Sequence, residues 1–228
     1  MLLPLEDDNP AALRPAVTIG LIVVCVAVYV WQHLVLTNEA ARSLELAWGL
    51  VPAAFSEPRP PWATLLTSMF LHLGLVHLAG NVLFLWVFGN NVEDAMGHAR
   101  FGAFYLLCGV LVALVYVLAN PASSVPATGA SGAVSAVLGA YLLLYPRAQV
   151  LLALPLGFIN VHLGRYPAVW VLAVWFLLQL GMGAIAAARA PGGGEFLGAF
   201  AAHVAGFVVG VVLVTVFKRR DVPLWRRY

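Results

Sequence analysis

The sequence predicts an all-α membrane protein: one bundle of six transmembrane helices, with a long first outer loop partly embedded in the membrane. Three observations predict it. Of 228 residues, 62% are hydrophobic and 10% charged, with a mean hydropathy of +0.93, against about 45–50% and about 25% in soluble domains. The apolar residues fall in six long runs, near 15–36, 75–95, 100–119, 131–145, 167–188 and 197–217. The basic residues are distributed unevenly between the two sides that six spans define. The side holding both termini carries Arg14, Arg100, Arg147, Arg165, Lys218, Arg219, Arg220, Arg226 and Arg227, nine in all; the other carries three, Arg42, Arg59 and Arg189. Nine against three puts both termini in the cytoplasm. Spans two, four and six then run from outside to inside.

Taken in order, residues 1–14 are polar and acidic, with Glu6, Asp7 and Asp8. They lack the basic region of a signal peptide, and the apolar run after them is too long for one. They are expected to form a mobile cytoplasmic tail, followed by the membrane domain over 15–217 and a basic cytoplasmic tail over 218–228. The first outer loop, 37–74, sets Trp48, Phe55, Trp62, Met69 and Phe70 among prolines, which suits the headgroup region. The fourth loop, 146–166, is apolar but too short to span, and is expected to form an interfacial hairpin or re-entrant turn. The fifth, 189–196, contains Gly192, Gly193 and Gly194, a composition that suits a flexible lid. Cys25 and Cys108 lie inside apolar runs and read as packing residues. A net charge of +2, with the densest group of Lys and Arg at the C-terminus, excludes a nucleic-acid surface.

The fourth span is short. Ser131 to Tyr145 is 15 residues, about 22 Å of helix, in a hydrocarbon core of about 30 Å. Ser131 therefore lies roughly 8 Å below the outer interface if the inner end sits at the other. The irregular backbone before it must dip into the membrane, which survives only in protein or against water. On the sixth span His203 lies about 9 Å down; on the second, Asn81 lies about 12 Å and His77 about 6 Å down. Three helices thus carry polar groups into one slab, and intramembrane polar groups of this kind are functional candidates.

The residue types define a chemistry. Ser131 needs a base, and a neutral His203 supplies one if the fourth and sixth helices approach closely. Gly206 and Gly210 on one helix, and Gly132, Ala136 and Ala140 on the other, form small-residue faces that allow it. With no carboxylate inside these helices, the pair would be a Ser–His dyad. His77 and Asn81, at i and i+4, share a face. With the Ser131 amide at the helix start, they can donate to an oxyanion. Each feature has a plainer reading: a Ser between glycines packs helices, and His or Asn in a span glues them. His72 reads as structural, and His33, His98 and His162 sit at span ends or loops.

His77-Leu78-Ala79-Gly80-Asn81, Gly129-Ala130-Ser131-Gly132, and Ala202-His203-Val204-Ala205-Gly206 with Gly210 resemble the motifs of the rhomboid family of intramembrane serine proteases. The long first loop and the span count agree, so the resemblance covers about residues 15–217. It implies Ser131 as nucleophile, His203 as general base, and His77, Asn81 and the Ser131 amide as oxyanion hole. It also implies lateral substrate access near the second and fifth helices, under the fifth loop. The substrates implied are single-span membrane proteins in the lipid bilayer, cut at a small residue in an unwound segment, with no metal and no cofactor. Two positions depart from many relatives. Ser135 stands where a Tyr stacks on the base, and could hydrogen-bond His203 instead. Trp62 is followed by Ala63 and Thr64, so a first-loop Arg is missing. The alternatives are a non-catalytic relative that binds membrane helices as a scaffold or quality-control factor, and a solute or proton carrier using His77 and His203. The intact dyad argues against the first, and the absence of midplane charges and symmetric broken helices against the second. The basic asymmetry suits a bacterial inner membrane.

Overall fold

The computed structural model describes residues 3–156, 159–189 and 195–226. Among these, five helical stretches are long and apolar enough to cross a membrane. They are α1 (Ala16–Val30) with its π-helical extension Trp31–Val35, α4 (Leu75–Met96), α5 (His98–Ala119), most of α7 (Ala168–Arg189) and most of α8 (Glu195–Phe217). The remaining apolar run forms α6 (Ser131–Leu144), at 14 residues too short to cross on its own. The protein is a multi-pass helical membrane bundle: among the described residues five of the six expected apolar runs form helices long enough to cross, and the fourth forms a short, largely buried one.

The short helix is the axis. Ala133 through Tyr141, and Leu144, are all buried, packed among α4, α5 and α8. Its small side chains let neighbouring backbones touch it. A Cβ at Gly206 would lie 2.3 Å from the Gly132 carbonyl oxygen, one at Gly210 2.0 Å from that of Ala136, and one at Gly139 2.1 Å from that of Phe207. Van der Waals contact between helices, the main glue inside lipid, is here backbone on backbone.

The inner end is tied by polar contacts. Glu93, buried near the end of α4, accepts hydrogen bonds from the Val17 and Thr18 amides (2.9 and 2.8 Å) and from the Thr18 hydroxyl (2.7 Å). One carboxylate thus satisfies the free amides at the start of α1 and meets that helix's positive dipole end. Gly97, at φ +81°, makes the turn from α4 straight into α5, a backbone state that favours glycine.

The first loop is ordered and only partly helical. Amphipathic α2 (Asn38–Trp48) has no buried residue; its first turn is capped by the Thr37 hydroxyl, which accepts from the Ala40 amide at 3.3 Å. Two 3-10 turns (Pro52–Ser56 and Ser68–Phe70) and the single-turn α3 (Thr64–Thr67) bring the chain back to α4. A bridge between Leu50 and Ala127 fixes this loop to the segment that precedes Ser131.

The fourth loop and the N-terminal segment join in one sheet. The fourth loop forms a β-hairpin, β2 (Gln149–Leu156) with β3 (Ile159–Pro167), consistent with the expected hairpin. The N-terminal segment, expected to be mobile, is ordered as β1 (Leu3–Asp7). It pairs antiparallel with β2, Leu3 opposite Ala153 and Asp7 opposite Val150, with a bulge between Pro4 and Glu6. The acidic residues explain the difference. Asp7 accepts hydrogen bonds from Tyr141 on α6 and Asn91 on α4, both at 2.6 Å, and Glu6 pairs with Arg165 on β3. The C-terminal segment is tied down too: the Arg219 amide donates to the Ala95 carbonyl, and the Trp225 and Arg226 amides donate to those of Leu143 and Leu144. Residues 190–194, the glycine-rich part of the expected lid, lie outside the described residues.

Candidate active site

The site residues come from α4, α6 and α8, and α6 sets their level. The contacts Gly206–Gly132 and Gly210–Ala136 follow the same order along both helices, so α6 and α8 run parallel and in step. Ser131 precedes Gly132 by one residue, and His203 precedes Gly206 by one turn. Both therefore sit at the same end of the seam, where its outer side opens.

His77 arrives from α4. Its ring lies against Gly129, so closely that a Cβ there would come within 2.5 Å of Cε1 and 2.8 Å of Nε2. Gly129 also has φ +122° and donates its amide to the Ser68 carbonyl at 2.9 Å. Glycine is required here for space and for backbone conformation together. One turn on, Asn81 is 8% exposed, and its Nδ2 has no hydrogen-bond partner. The Thr128 hydroxyl and His72 Nε2 are likewise buried and unpartnered. Such orphaned groups are rare in native proteins and mark places where water or a ligand completes the bonding.

A cavity of about 540 Å³ is lined by Thr128, His77, Ser131 and Ala202 together with Val112 and Tyr116. Ser131 begins α6, so its amide has no intrahelical acceptor and points out of the helix start. His72 is fully buried. It holds the outer loop, donating its amide to Gln32 (3.4 Å) while its carbonyl bonds His33 (2.8 Å). Burial, and then the neighbouring His77, push its pKa down to about 4, so it stays neutral and structural.

The remaining pieces are placed less simply. Among the described residues Ser131 and His203 share no hydrogen bond. Ser135, which could have bonded His203, gives its hydroxyl to the Ser131 carbonyl at 2.7 Å, as hydroxyls in helices commonly do. The partner of His203 is one that sequence reasoning passed over: Nδ1 lies 2.9 Å from Oε1 of Gln179 on α7. The signal was present, a lone amide in an otherwise apolar span, one helical turn from Trp175. Trp175 itself lies with its ring centroid 6.3 Å from that of His203.

Comparison with known proteins fits this arrangement. The chain matches the family model described as Rhomboid domain over residues 59–220. It is 42% identical over 81 residues to the Rhomboid protease GluP of Bacillus subtilis (36% of this chain, 15% of the relative). It is 38% identical over 93 residues to Rhomboid protein 1, mitochondrial, of Saccharomyces cerevisiae (39% and 27%). It is 34% identical over 88 residues to the human Presenilin-associated rhomboid-like protein, mitochondrial (38% and 23%). The matched stretch spans at most about a quarter of the length of these relatives.

Proposed function

The chain belongs to the rhomboid family, and from that premise we propose that it is an intramembrane serine endopeptidase working with a Ser131–His203 dyad. The observation that carries this reading is the backbone contact between α6 and α8 beside a cavity lined by both His77 and Ser131. Ser131 Oγ attacks the scissile carbonyl carbon as His203 Nε2 takes its proton. The carbonyl oxygen, now anionic, is held by His77, Asn81 and the Ser131 amide. The unpartnered Asn81 Nδ2 suits that task, since a donor held ready for an oxyanion is left unsatisfied beforehand. His203 then returns the proton to the leaving amine, and water hydrolyses the acyl-enzyme with the same base.

Substrates on this reading are single-span membrane proteins, cut near their outer boundary in an unwound segment. A helical carbonyl is already bonded within its own helix, so it must be freed before attack. The basic asymmetry supports cytoplasmic termini and a bacterial inner membrane, although two of the relatives above are mitochondrial. The missing Ser131–His203 bond favours the rival, a helix-binding scaffold without catalysis. Nucleophile–base hydrogen bonds in ligand-free enzymes are often long, however, and tighten with substrate.

Purified protein in detergent, given a generic single-span substrate, separates the two. Wild type should cleave, and Ser131→Ala and His203→Ala should each lose at least about 10³-fold in rate. A fluorophosphonate should label wild type and leave Ser131→Ala unlabelled. Equal cleavage by all three proteins would remove the protease reading; no cleavage and no labelling in wild type would leave the scaffold.

A further inference from the structure

His203 lies in a nest made chiefly by α7. Trp175 and Gln179 are one turn apart and meet α8 on the same side. Trp175 also stacks on Phe207 (6.1 Å between centroids, 28° between planes), and Phe176 packs on the same ring at 4.8 Å. From its own helix, Phe200 presents an edge to His203. The titratable group facing His203 is His77 from α4, and from α6 Ser135 lies against Gly206, one turn along α8. Among the described residues, no charged group faces the imidazole. Among the described residues its hydrogen bond is Nδ1 to Oε1 of Gln179, at 2.9 Å.

That bond decides which nitrogen can act. A neutral imidazole carries one proton, and the hydrogen bond at one nitrogen fixes the state of the other. An amide oxygen only accepts. An Nδ1 that meets Oε1 holds the proton, which leaves the Nε2 lone pair free to accept from a hydroxyl. The reverse tautomer would present an N–H to Ser131 and could not take its proton. In a catalytic triad a carboxylate does this work. Among the described residues no carboxylate meets His203, and Ser135 is committed to the Ser131 carbonyl. We propose that Gln179 is the positioning residue that holds His203 as its Nδ1–H tautomer, with Nε2 directed to Ser131. The proposal deepens the protease reading and rests on it for its consequence, though the tautomer itself can be read without catalysis.

The test has two arms on full-length protein. Histidine labelled with nitrogen-15, with the His203 signals identified by their loss in His203→Gln, reports the tautomer by NMR. Wild type should show a pyrrole-type Nδ1 and a pyridine-type Nε2. Gln179→Met, of similar length but without an amide acceptor, should shift His203 toward a mixture of tautomers. In the kinetic arm, Gln179→Met should lower kcat about tenfold, the effect of one hydrogen bond, with KM unchanged. Gln179→Glu, which restores an acceptor, should recover most of it. A packing role alone would lower the melting temperature and leave the tautomer as it was. A pyridine-type Nδ1 in wild type, or a Gln179→Met protein that keeps the wild-type tautomer and kcat, overturns the proposal; Gln179→Leu repeats the measurement if Gln179→Met does not fold. The tautomer shift in the absence of any Ser131-dependent hydrolysis would sustain the orientation by Gln179 and remove the protease reading instead.

Discussion

Asn81 is where stability and activity should part company. Its buried Nδ2 lacks a partner, so the side chain bears a desolvation penalty in the resting protein. Asn81→Ala should therefore leave thermal stability within about 1 kcal/mol of wild type, while kcat falls about 10²–10³-fold, the usual effect of losing one oxyanion donor. Substrate-cleavage kinetics and a thermal melt on the same sample check both halves. Gly129 should behave in the opposite way. Any side chain there meets the His77 ring and a left-handed backbone, so Gly129→Ala should lose stability and rate together. His77, Asn81, Ser131 and His203 could be named as candidates from the sequence because a polar group inside an apolar helix stands out against its background. Gln179 was overlooked although it stands out in the same way. Its meaning depends on which helix faces it, and helical periodicity says nothing about that.

Among the elements, the α6–α8 seam makes the sharpest demand. Gly206 and Gly210 leave no room for a Cβ against the α6 backbone, whereas a Cβ on Gly181 would meet nothing within 4 Å. Gly210→Val should thus lower stability by roughly 1–3 kcal/mol or more, as overpacking does. Gly206→Val should do the same and abolish cleavage, because it moves His203 relative to Ser131. Gly181→Ala should leave both unchanged. Melting curves for the three variants, set beside their cleavage rates, check this. The small-residue spacing that marks the seam was readable in advance. The sheet was not: Val150–Leu156 is a continuous apolar run without a two-residue alternation, and its partner β1 is acidic and far away in sequence.

For the molecule as a whole, the inner sheet is joined to the bundle through a carboxyl group. Burial outweighs the hydrogen bonds from Tyr141 and Asn91 and, with Asp8 beside it, raises the Asp7 pKa to about 6 from a usual value of 3.8. A raised carboxyl pKa means that the docked state prefers the protonated form. Docking of β1 should therefore be firmest below about pH 4 and weaken as pH rises through about 6. Hydrogen exchange of the β1 and β2 amides, corrected for intrinsic rates, should show up to about tenfold less protection at pH 7 than at pH 5. Asp7→Asn, neutral at every pH, should remove that difference.

The segments before α1 and after α8 meet at the C-terminal part of α6. Tyr141 holds Asp7, made first, while the carbonyls of Leu143 and Leu144 receive amides from Trp225 and Arg226, made more than eighty positions later. During biosynthesis the serine-bearing helix would therefore enter the bilayer unfinished and mature only once the downstream segment has been translated and released. A nascent chain stalled shortly after α8 would be inserted yet immature.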